Sequence, residues 1–221
     1  MVSMPTLAAD GYGPDGKFLA PIDSPVAGSI EVSNRTQLEA IKNNLSGNYH
    51  LGADIDLSGE DWVPIGDANN PFTGTFDGQG CIIKNMRITE EGYELNGLFG
   101  YVWVGFVKNL GLEDTYIDVT RSSSSFDEPT YSKRYIYAGG IYGYSSNYIF
   151  GVGYRDCSIS NCYNTGYISI SSASNVYANG GGIGGGGGGD VVNCYNAGEV
   201  VSSSTVLAYA GGIAGIGTSI K

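Results

Sequence analysis

The amino-acid sequence predicts an all-β protein in which short strands form the successive turns of a coil, a β-solenoid, with one short helix near the N-terminus. Three observations favour this fold. The 221 residues include 36 glycines without the every-third-residue spacing of collagen, which suits a chain with many tight corners. Hydrophobic and polar residues alternate with period two after residue 48. Two short motifs recur along the chain, as in repeat proteins.

The N-terminal part divides into a leader and a helix. Residues 1–30 are predicted to be an extended leader or linker, because proline, glycine and aspartate mix there without periodicity. Residues 33–47 show helical spacing of apolar side chains, at Leu38, Ile41 and Leu45. Asn34 is a candidate N-cap, Gln37 follows three residues later as in a capping box, and Gly47 is the predicted end of the helix.

Strand periodicity begins directly after the helix. The apolar positions that share one face are Tyr49, Leu51, Ile55 and Leu57. On the opposite face, Asp54 and Asp56 present carboxylates of the kind that bind calcium weakly in extracellular modules. The segment lacks the glycine turn and terminal glutamate of a helix-loop-helix calcium site, so a solvated strand face or hydrogen bonds at a corner are the favoured alternative.

The repeated motifs predict how the coil turns. Gly-hydrophobic-x-Gly occurs at 97–100, 140–143, 182–185 and 212–215. An asparagine with a β-branched residue two positions before it and an apolar residue directly after it occurs as Asn85, Asn109, Asn161 and Asn193. Asparagine tolerates the left-handed backbone region, so each copy predicts a sharp corner between strands. Stacked coils then pair their strands in parallel, about 4.8 Å apart, over residues 31–221.

These residues resemble the GLUG-motif repeats of bacterial surface proteins, including non-catalytic regions of immunoglobulin A peptidases. The likeness rests on segments 47–57, 62–66, 72–80 and 97–100 and on the Asn-Cys-Tyr-Asn segments at 161–164 and 193–196. The resemblance implies a right-handed parallel β-helix on a secreted or cell-surface protein, used in adhesion or as a spacer. It carries over no catalytic residue, because His50 is the only histidine and the peptidases' His-Glu-x-x-His zinc motif needs two.

Charge and hydropathy exclude several classes of partner. The net charge of -11 argues against nucleic acid and anionic membrane surfaces, which would repel the chain. No apolar run approaches the about 20 residues that span a bilayer, so the chain is predicted not to cross a membrane. No pattern indicates a cofactor.

The four cysteines suggest a metal site or a disulfide, but no Cys-x-x-Cys pair is present. Cys162 and Cys194 occupy the repeat position that Met86 and Leu110 fill in the other copies, and a position that accepts Met, Leu or Cys is a core position. We therefore expect reduced, buried cysteines. If their coils stack directly, Cys162 and Cys194 come close enough to bridge, although a ladder of free thiols is favoured.

Residues 180–190 contain nine glycines and could form a phosphate-binding loop. The Gly-Lys-Ser/Thr ending of such a loop is absent, and a strand follows at Val191 rather than a helix. A flexible or closely packed loop that joins two coils is the preferred interpretation.

Tyrosines are unusually dense between residues 131 and 154. Those predicted to project outward and form a platform for a glycan or a protein are Tyr131, Tyr135, Tyr137, Tyr142, Tyr144 and Tyr148. The alternative is that some of them fill the core and the rest cover it. Residues 121–133 interrupt the repeat and are predicted to form a protruding loop.

The sequence therefore predicts a non-catalytic extracellular module that acts as a spacer or an adhesin. The alternative is a polysaccharide hydrolase or lyase, which needs carboxylates on neighbouring coils. Asp190 and Glu199 are the only acids after Asp156, and their offsets from Asn193 predict different corners. The last unit stops where another asparagine corner is due, which predicts a truncated solenoid whose open C-terminal coil makes edge or end-to-end contacts.

Overall fold

A computed structural model describes residues 22–89, 93–121, 135–172 and 176–221. The described chain is all-β apart from one short helix and a 3₁₀ turn. It begins with β1 (Ile30–Val32), α1 (Arg35–Ala40), the 3₁₀ turn Ile41–Asn43, β2 (Asn48–Leu51) and β3 (Ile55–Asp56). None of its helical segments is long and apolar enough to cross a lipid bilayer.

The remaining strands come in four successive groups. The first group is β4 (Thr75–Asp77), β5 (Ile82–Lys84), β6 (Arg87–Ile88), β7 (Leu95–Asn96) and β8 (Phe99–Trp103). The second is β9 (Phe106–Glu113), β10 (Tyr116–Arg121), β11 (Tyr135–Gly139) and β12 (Tyr142–Ser146), followed by a hairpin of β13 (Tyr148–Ile149) and β14 (Gly153–Tyr154). The third is β15 (Ser158–Asn164), β16 (Tyr167–Ser172), β17 (Tyr177–Gly181) and β18 (Gly184–Gly187). The fourth is β19 (Asp190–Val192), β20 (Tyr195–Asn196), β21 (Val200–Ser204), β22 (Ala208–Gly211), β23 (Ala214–Ile216) and then β24 (Ser219–Ile220).

Each group lies in register on the one before it, so that the chain visits four sheets in turn and returns to the first. The first sheet has the order β1-β2-β4-β9-β15-β19-β24, with β3, β5 and β20 paired beside this path. The second, third and fourth sheets have the orders β6-β10-β16-β21, β7-β11-β17-β22 and β8-β12-β18-β23. Every pairing between these groups is parallel. This arrangement fits the predicted solenoid.

Apolar side chains from successive groups stack into columns inside the four sheets. Phe76, Val107 and Ile159 pair directly from strand to strand and are almost completely buried. Burial of such columns removes apolar area from water and supplies most of the favourable free energy of folding. Tyr49, Leu51, Ile55 and Leu57 are all buried, as the period-two pattern predicts.

The four repeated asparagines adopt the predicted left-handed backbone, with φ of 60° at Asn85, 55° at Asn109, 52° at Asn161 and 51° at Asn193. Three of them form a ladder of side-chain amides. Asn193 Nδ2 donates to Asn161 Oδ1 over 2.8 Å, and Asn161 Nδ2 donates to Asn109 Oδ1 over 3.0 Å. Asn109 Nδ2 ends the ladder on the buried carboxylate of Asp77, at 3.0 Å. The corner prediction is therefore confirmed.

Asn85 stands in a different column from the other three, and its alignment with them was wrong. Its amide donates to Asp56 Oδ1 over 2.9 Å, and its backbone N–H donates to Glu113 O over 3.1 Å. The next residue in this column, Asp114, also has a positive φ of 52°. The coils that begin with β4 and β9 thus have two left-handed corners each along the first sheet, at Gln79 and Asn85 and at Asn109 and Asp114. The asparagine pattern occurs at the second corner in Asn85 and at the first in Asn109.

The helix forms where its periodicity predicts, with Leu38 and Ile41 fully buried. Asn34 Oδ1 caps it by accepting the Gln37 N–H over 3.0 Å, while Gln37 Oε1 accepts the N–H of Ser33, one residue before the cap. The predicted end at Gly47 is wrong, because the 3₁₀ turn ends at Asn43. Gly47 instead leaves room for Tyr49, whose hydroxyl donates to Asn44 O over 2.7 Å.

The predicted leader and inserted loop fall largely outside the described residues, which exclude 1–21 and 122–134. Residues 22–29 form no strand, and Gln79 Nε2 donates to the carbonyl of Asp23 over 3.0 Å, so this stretch contacts the coil.

Candidate functional site

Five tyrosines form a continuous aromatic surface across the third and fourth sheets. Tyr135 stacks on Tyr177 with ring centroids 4.9 Å apart and on Tyr137 at 5.7 Å. Tyr144 meets Tyr137 edge to face at 5.0 Å and Tyr101 at 5.5 Å. All five are half-buried. We call this surface, made by Tyr101, Tyr135, Tyr137, Tyr144 and Tyr177, the tyrosine face.

Strand alternation places these side chains outward. In β11, Tyr135 and Tyr137 alternate with Ile136 and Ala138. The latter two point into the core and are 3% and 0% exposed. Since successive side chains of a strand point to opposite sides, Tyr135 and Tyr137 project outward. In-register pairing of Tyr135 with Tyr177 and of Tyr144 with Tyr101 then aligns rings from neighbouring coils.

Glycines of β18 provide the floor beside the tyrosine face. Gly186 pairs with Tyr144, and a Cβ atom placed on it would lie 2.9 Å from Cε1 of Tyr137. A side chain at this position would therefore displace the Tyr137 ring. The prediction of a loop over 180–190 is wrong here, since Gly184–Gly187 is a paired strand whose missing side chains make room for tyrosines.

Tyr142 does not belong to the tyrosine face, which corrects its assignment as a ligand-binding residue. Its side chain is 0% exposed and lies inside the coil. Ile141 and Tyr142 are both buried because they follow the corner between β11 and β12, where strict alternation is interrupted. Tyr131 lies outside the described residues.

Three hydroxyls of the tyrosine face have a raised pKa. Burial raises the pKa of Tyr137, with smaller contributions from Tyr144 and Tyr135. Burial likewise raises the pKa of Tyr144 and of Tyr101. The hydroxyls of Tyr101, Tyr137 and Tyr144 therefore remain protonated at neutral pH and are able to donate as well as accept hydrogen bonds.

A buried polar side chain lies in line with two tyrosines. Asn179 stands in one column with Tyr137 and Tyr209, and its side chain is 1% exposed. Neither Oδ1 nor Nδ2 has a hydrogen-bond partner among the described residues. Buried amides in proteins are nearly always hydrogen-bonded, so this group adds unused donor and acceptor capacity beneath the aromatic rings.

Tyr148 lies away from this surface, in the hairpin of β13 and β14. It meets Tyr154 across the two strands at 5.4 Å, and its carbonyl accepts the indole N–H of Trp103 over 3.0 Å. Phe150 at the tip is 93% exposed and Val152 is 54% exposed. Sequence reasoning missed this apolar tip, although Gly151 and Gly153, both at positive φ, mark a turn there.

Asp54 and Asp56 are exposed, and both accept hydrogen bonds from the next coil. Asp54 Oδ1 accepts the N–H of Ile82 over 2.8 Å. Asp56 Oδ1 accepts from Asn85 Nδ2 and from the N–H of Ser58 over 2.8 Å. In the part of the chain that is described, no three His, Cys, Asp or Glu side chains come together as metal ligands. Hydrogen bonds at the corners of the coil account for the positions of the two carboxylates. Calcium binding by Asp54 and Asp56 stays a prediction.

The hydrogen bonds to Asp56 predict a pH effect. The Asn85 amide and the Ser58 N–H favour the ionised form and lower the pKa of this carboxyl below its usual value. A depressed folded-state pKa stabilises the fold above the unfolded-state pKa of about 3.9, and this contribution is lost as the pH falls through the folded-state value. We expect the melting temperature of Asp56→Asn to fall less steeply than that of the wild type between about pH 5 and about pH 2. Glu60→Gln controls for loss of an exposed charge, and parallel wild-type and Asp56→Asn curves would contradict the assignment.

The cysteines lie in the core or against it, and none of the four is in a disulfide. Cys162 is fully buried in one column with Leu110, and Cys194 lies on the coil above, so that the Cys162 N–H donates to Cys194 Sγ over 3.4 Å. The alignment with Met86 was wrong, since Met86 follows the other corner, at Asn85, and its carbonyl accepts the N–H of Tyr116. Burial raises the pKa of Cys162, and raises that of Cys157 to about 11, so both are protonated thiols at neutral pH.

The two late carboxylates are on different parts of the coil. Asp190 starts β19 in the first sheet and pairs with Lys221 over 2.6 Å. Glu199 directly precedes β21 in the second sheet. Their separation agrees with the predicted placement at different corners.

Comparisons with known proteins bear on the fold and on part of the sequence. The chain matches no family model. It is 36% identical over 97 residues to a protein of Evansella cellulosilytica that is provisionally named a Gly-rich membrane protein. This match covers 40% of this chain and 11% of that protein. It is 32% identical over 103 residues to halomucin of Haloquadratum walsbyi, covering 39% of this chain and 1% of halomucin. The chain thus spans a small part of the length of either relative.

One solved structure is similar over most of the chain. It is a crystal structure of a protein from Bacteroides ovatus that is provisionally named an immunoglobulin A1 protease. The TM-score is 0.57 and the identity 23%, over 89% of this chain and 63% of that one. The likeness shows a shared fold, and the two sequence matches show similarity to parts of two much longer proteins.

Proposed function

We propose that this chain is a non-catalytic module of an extracellular surface protein, built as a right-handed parallel β-helix of the GLUG type, which binds glycans through the tyrosine face. The observation that carries the proposal is the continuous set of half-buried tyrosine rings on stacked strands.

The β-helix and its location have separate support. Crossovers between parallel strands of one sheet are right-handed in nearly all proteins, which favours that hand for the coil. The names of the two relatives, a membrane protein and halomucin, favour a place at the cell surface. In-register stacking lets such a module extend by adding coils, as a spacer requires.

The chemistry of the tyrosine face favours glycans. Aromatic rings offer flat apolar area for the C–H face of a sugar, while their hydroxyls reach the hydroxyls of the sugar. The rings of Tyr135 and Tyr177 stack with 21° between their planes, so their facing sides cover each other. The ring edges, the outer faces and the hydroxyls of the tyrosine face remain for successive sugar units. The mutual packing of the rings fixes them before a ligand binds, which lowers the entropy lost on binding.

A non-catalytic role is proposed on the chemistry that the chain offers. A peptidase of the His-Glu-x-x-His type needs two histidines, and His50 is the only one. Of the two late carboxylates, Asp190 lies in the first sheet and Glu199 directly before a strand of the second, whereas glycosidases hold their pair within about 10 Å across one bond.

A glycan array probed with wild type and variants tests the proposal. We expect Tyr135→Ala combined with Tyr177→Ala to weaken binding at least about tenfold, since each stacked ring contributes on the order of 1 kcal/mol. Tyr135→Phe combined with Tyr177→Phe should retain most of the affinity because the rings remain. Phe150→Ser is the matched control, an exposed aromatic outside the tyrosine face.

Several outcomes would contradict the proposal. Absence of binding by the wild type would leave a spacer role alone, and loss of binding in Phe150→Ser but not in the alanine pair would move the site to the hairpin. Release of new reducing ends or unsaturated uronic acids from an incubated polysaccharide would instead indicate a hydrolase or lyase.

A further inference from the structure

A cleft separate from the tyrosine face lies near the N-terminal end of the coil, one coil before Tyr137 on the third sheet. It is a cleft of about 530 Å³, a size that suits one or two sugar rings. Leu45, Val63 and Pro64 supply apolar lining, and Asn69 and Asn70 supply side-chain amides. Lys42, in the 3₁₀ turn Ile41–Asn43, also lines it.

The acidic side chains of this cleft have hydrogen-bond or ion-pair partners in the protein, whereas its lysine has no carboxylate partner among the described residues. Asp67 Oδ1 accepts the N–H groups of Asn69 and Asn70 over 2.7 and 2.8 Å. Glu94 pairs with Arg121 over 3.6 Å. Lys42 has no carboxylate within 4.0 Å among the described residues. Two acids are thus engaged by the protein, and the ammonium group is left for a ligand.

Lys42 is held in place before any ligand arrives. Its Nζ lies 5.3 Å from the centroid of the Trp62 ring, a cation–π contact with a side chain that is itself 1% exposed. Burial lowers the pKa of this lysine, and the nearby Glu39 opposes the shift only in part. An anion bound beside Nζ would offset this loss of hydration.

We propose that this cleft binds the carboxylate of an acidic sugar, such as a uronic acid, with Lys42 as its ionic partner. The apolar walls would pack against the ring, and the amides of Asn69 and Asn70 would hydrogen-bond to its hydroxyls. A monoanion fits better than a phosphate, because a doubly charged ligand is repelled more strongly by the chain's net charge of -11 and by Asp67 and Glu94.

Calorimetric titration with glucuronic acid, glucose and inorganic phosphate tests this proposal. The wild type should bind glucuronic acid more tightly than either glucose or phosphate. Lys42→Gln should weaken glucuronic acid binding at least about tenfold, the effect of a lost charge-assisted hydrogen bond. Lys84→Gln, a lysine outside the cleft, is the control, and circular dichroism checks that both variants fold.

A second measurement uses the wild type alone, so differences in folding between variants cannot affect it. In NMR titrations of the wild type, saturation with glucuronic acid should raise the pKa of Lys42, because the bound anion stabilises the ammonium form. The pair Tyr135→Ala and Tyr177→Ala should leave this binding unchanged, which separates it from the tyrosine face. Equal affinity for glucose, tighter phosphate binding, or an unchanged affinity in Lys42→Gln would each overturn the proposal.

Discussion

Replacement of Gly184 by leucine is expected to lower the free energy of unfolding by about 3 kcal/mol, the upper part of the range for overpacked cores. Gly184 pairs in register with Tyr142, and a Cβ atom on it would overlap the tyrosine ring. Tyr142 is completely buried and cannot move outward without opening the coil. Urea denaturation of the variant and the wild type measures the difference.

The matched experiment exchanges the large and small residues of this pair. Tyr142→Ala alone should cost about 3–5 kcal/mol, because it leaves a cavity in the core. In the double variant, the leucine side chain at 184 would occupy the space that the tyrosine ring leaves empty. The double variant should therefore lose less free energy of unfolding than the sum of the two single losses, by about 1 kcal/mol or more. Additive losses would show that residues 142 and 184 do not share one space.

Asn161→Val is expected to lose about 3 kcal/mol of stability. At φ 52° a β-branched residue meets steric conflict of about 1–2 kcal/mol, and two ladder hydrogen bonds disappear at about 1 kcal/mol each. Asn161→Gly separates the two causes, because glycine accepts the backbone conformation and loses only the ladder. Thermal or urea unfolding compares the three proteins, and equal stability of the valine and glycine variants would contradict a strained corner.

Local patterns of the sequence predicted the local structure well. Period-two alternation gave the buried side of the strand at residues 49–57, and the helix formed around Leu38 and Ile41. The asparagine motif correctly predicted left-handed corners, because only a few residue types tolerate that backbone region. These features depend on neighbouring residues, which is why one sequence suffices to find them.

Several predictions that depended on the position of a residue around the coil were wrong. Asn85 and Asn109 each follow a lysine and precede an apolar residue, but they turn different corners, and only the strand register distinguishes them. Tyr142 and Tyr144 stand two residues apart, yet one is buried and the other half-exposed, because sheets three and four meet just before them. The cleft around Lys42 joins side chains from distant segments, so no local motif could have indicated it.

In-register parallel pairing gives the four sheets one shared direction for their hydrogen bonds, from each coil to the next. A force that pulls along this direction loads every junction between coils equally, because the coils are in series, and the weakest junction opens first. A force along the strands must instead shear the bonds of a whole sheet at once. The same chain should therefore yield in small steps when pulled end to end and resist strongly when pulled sideways.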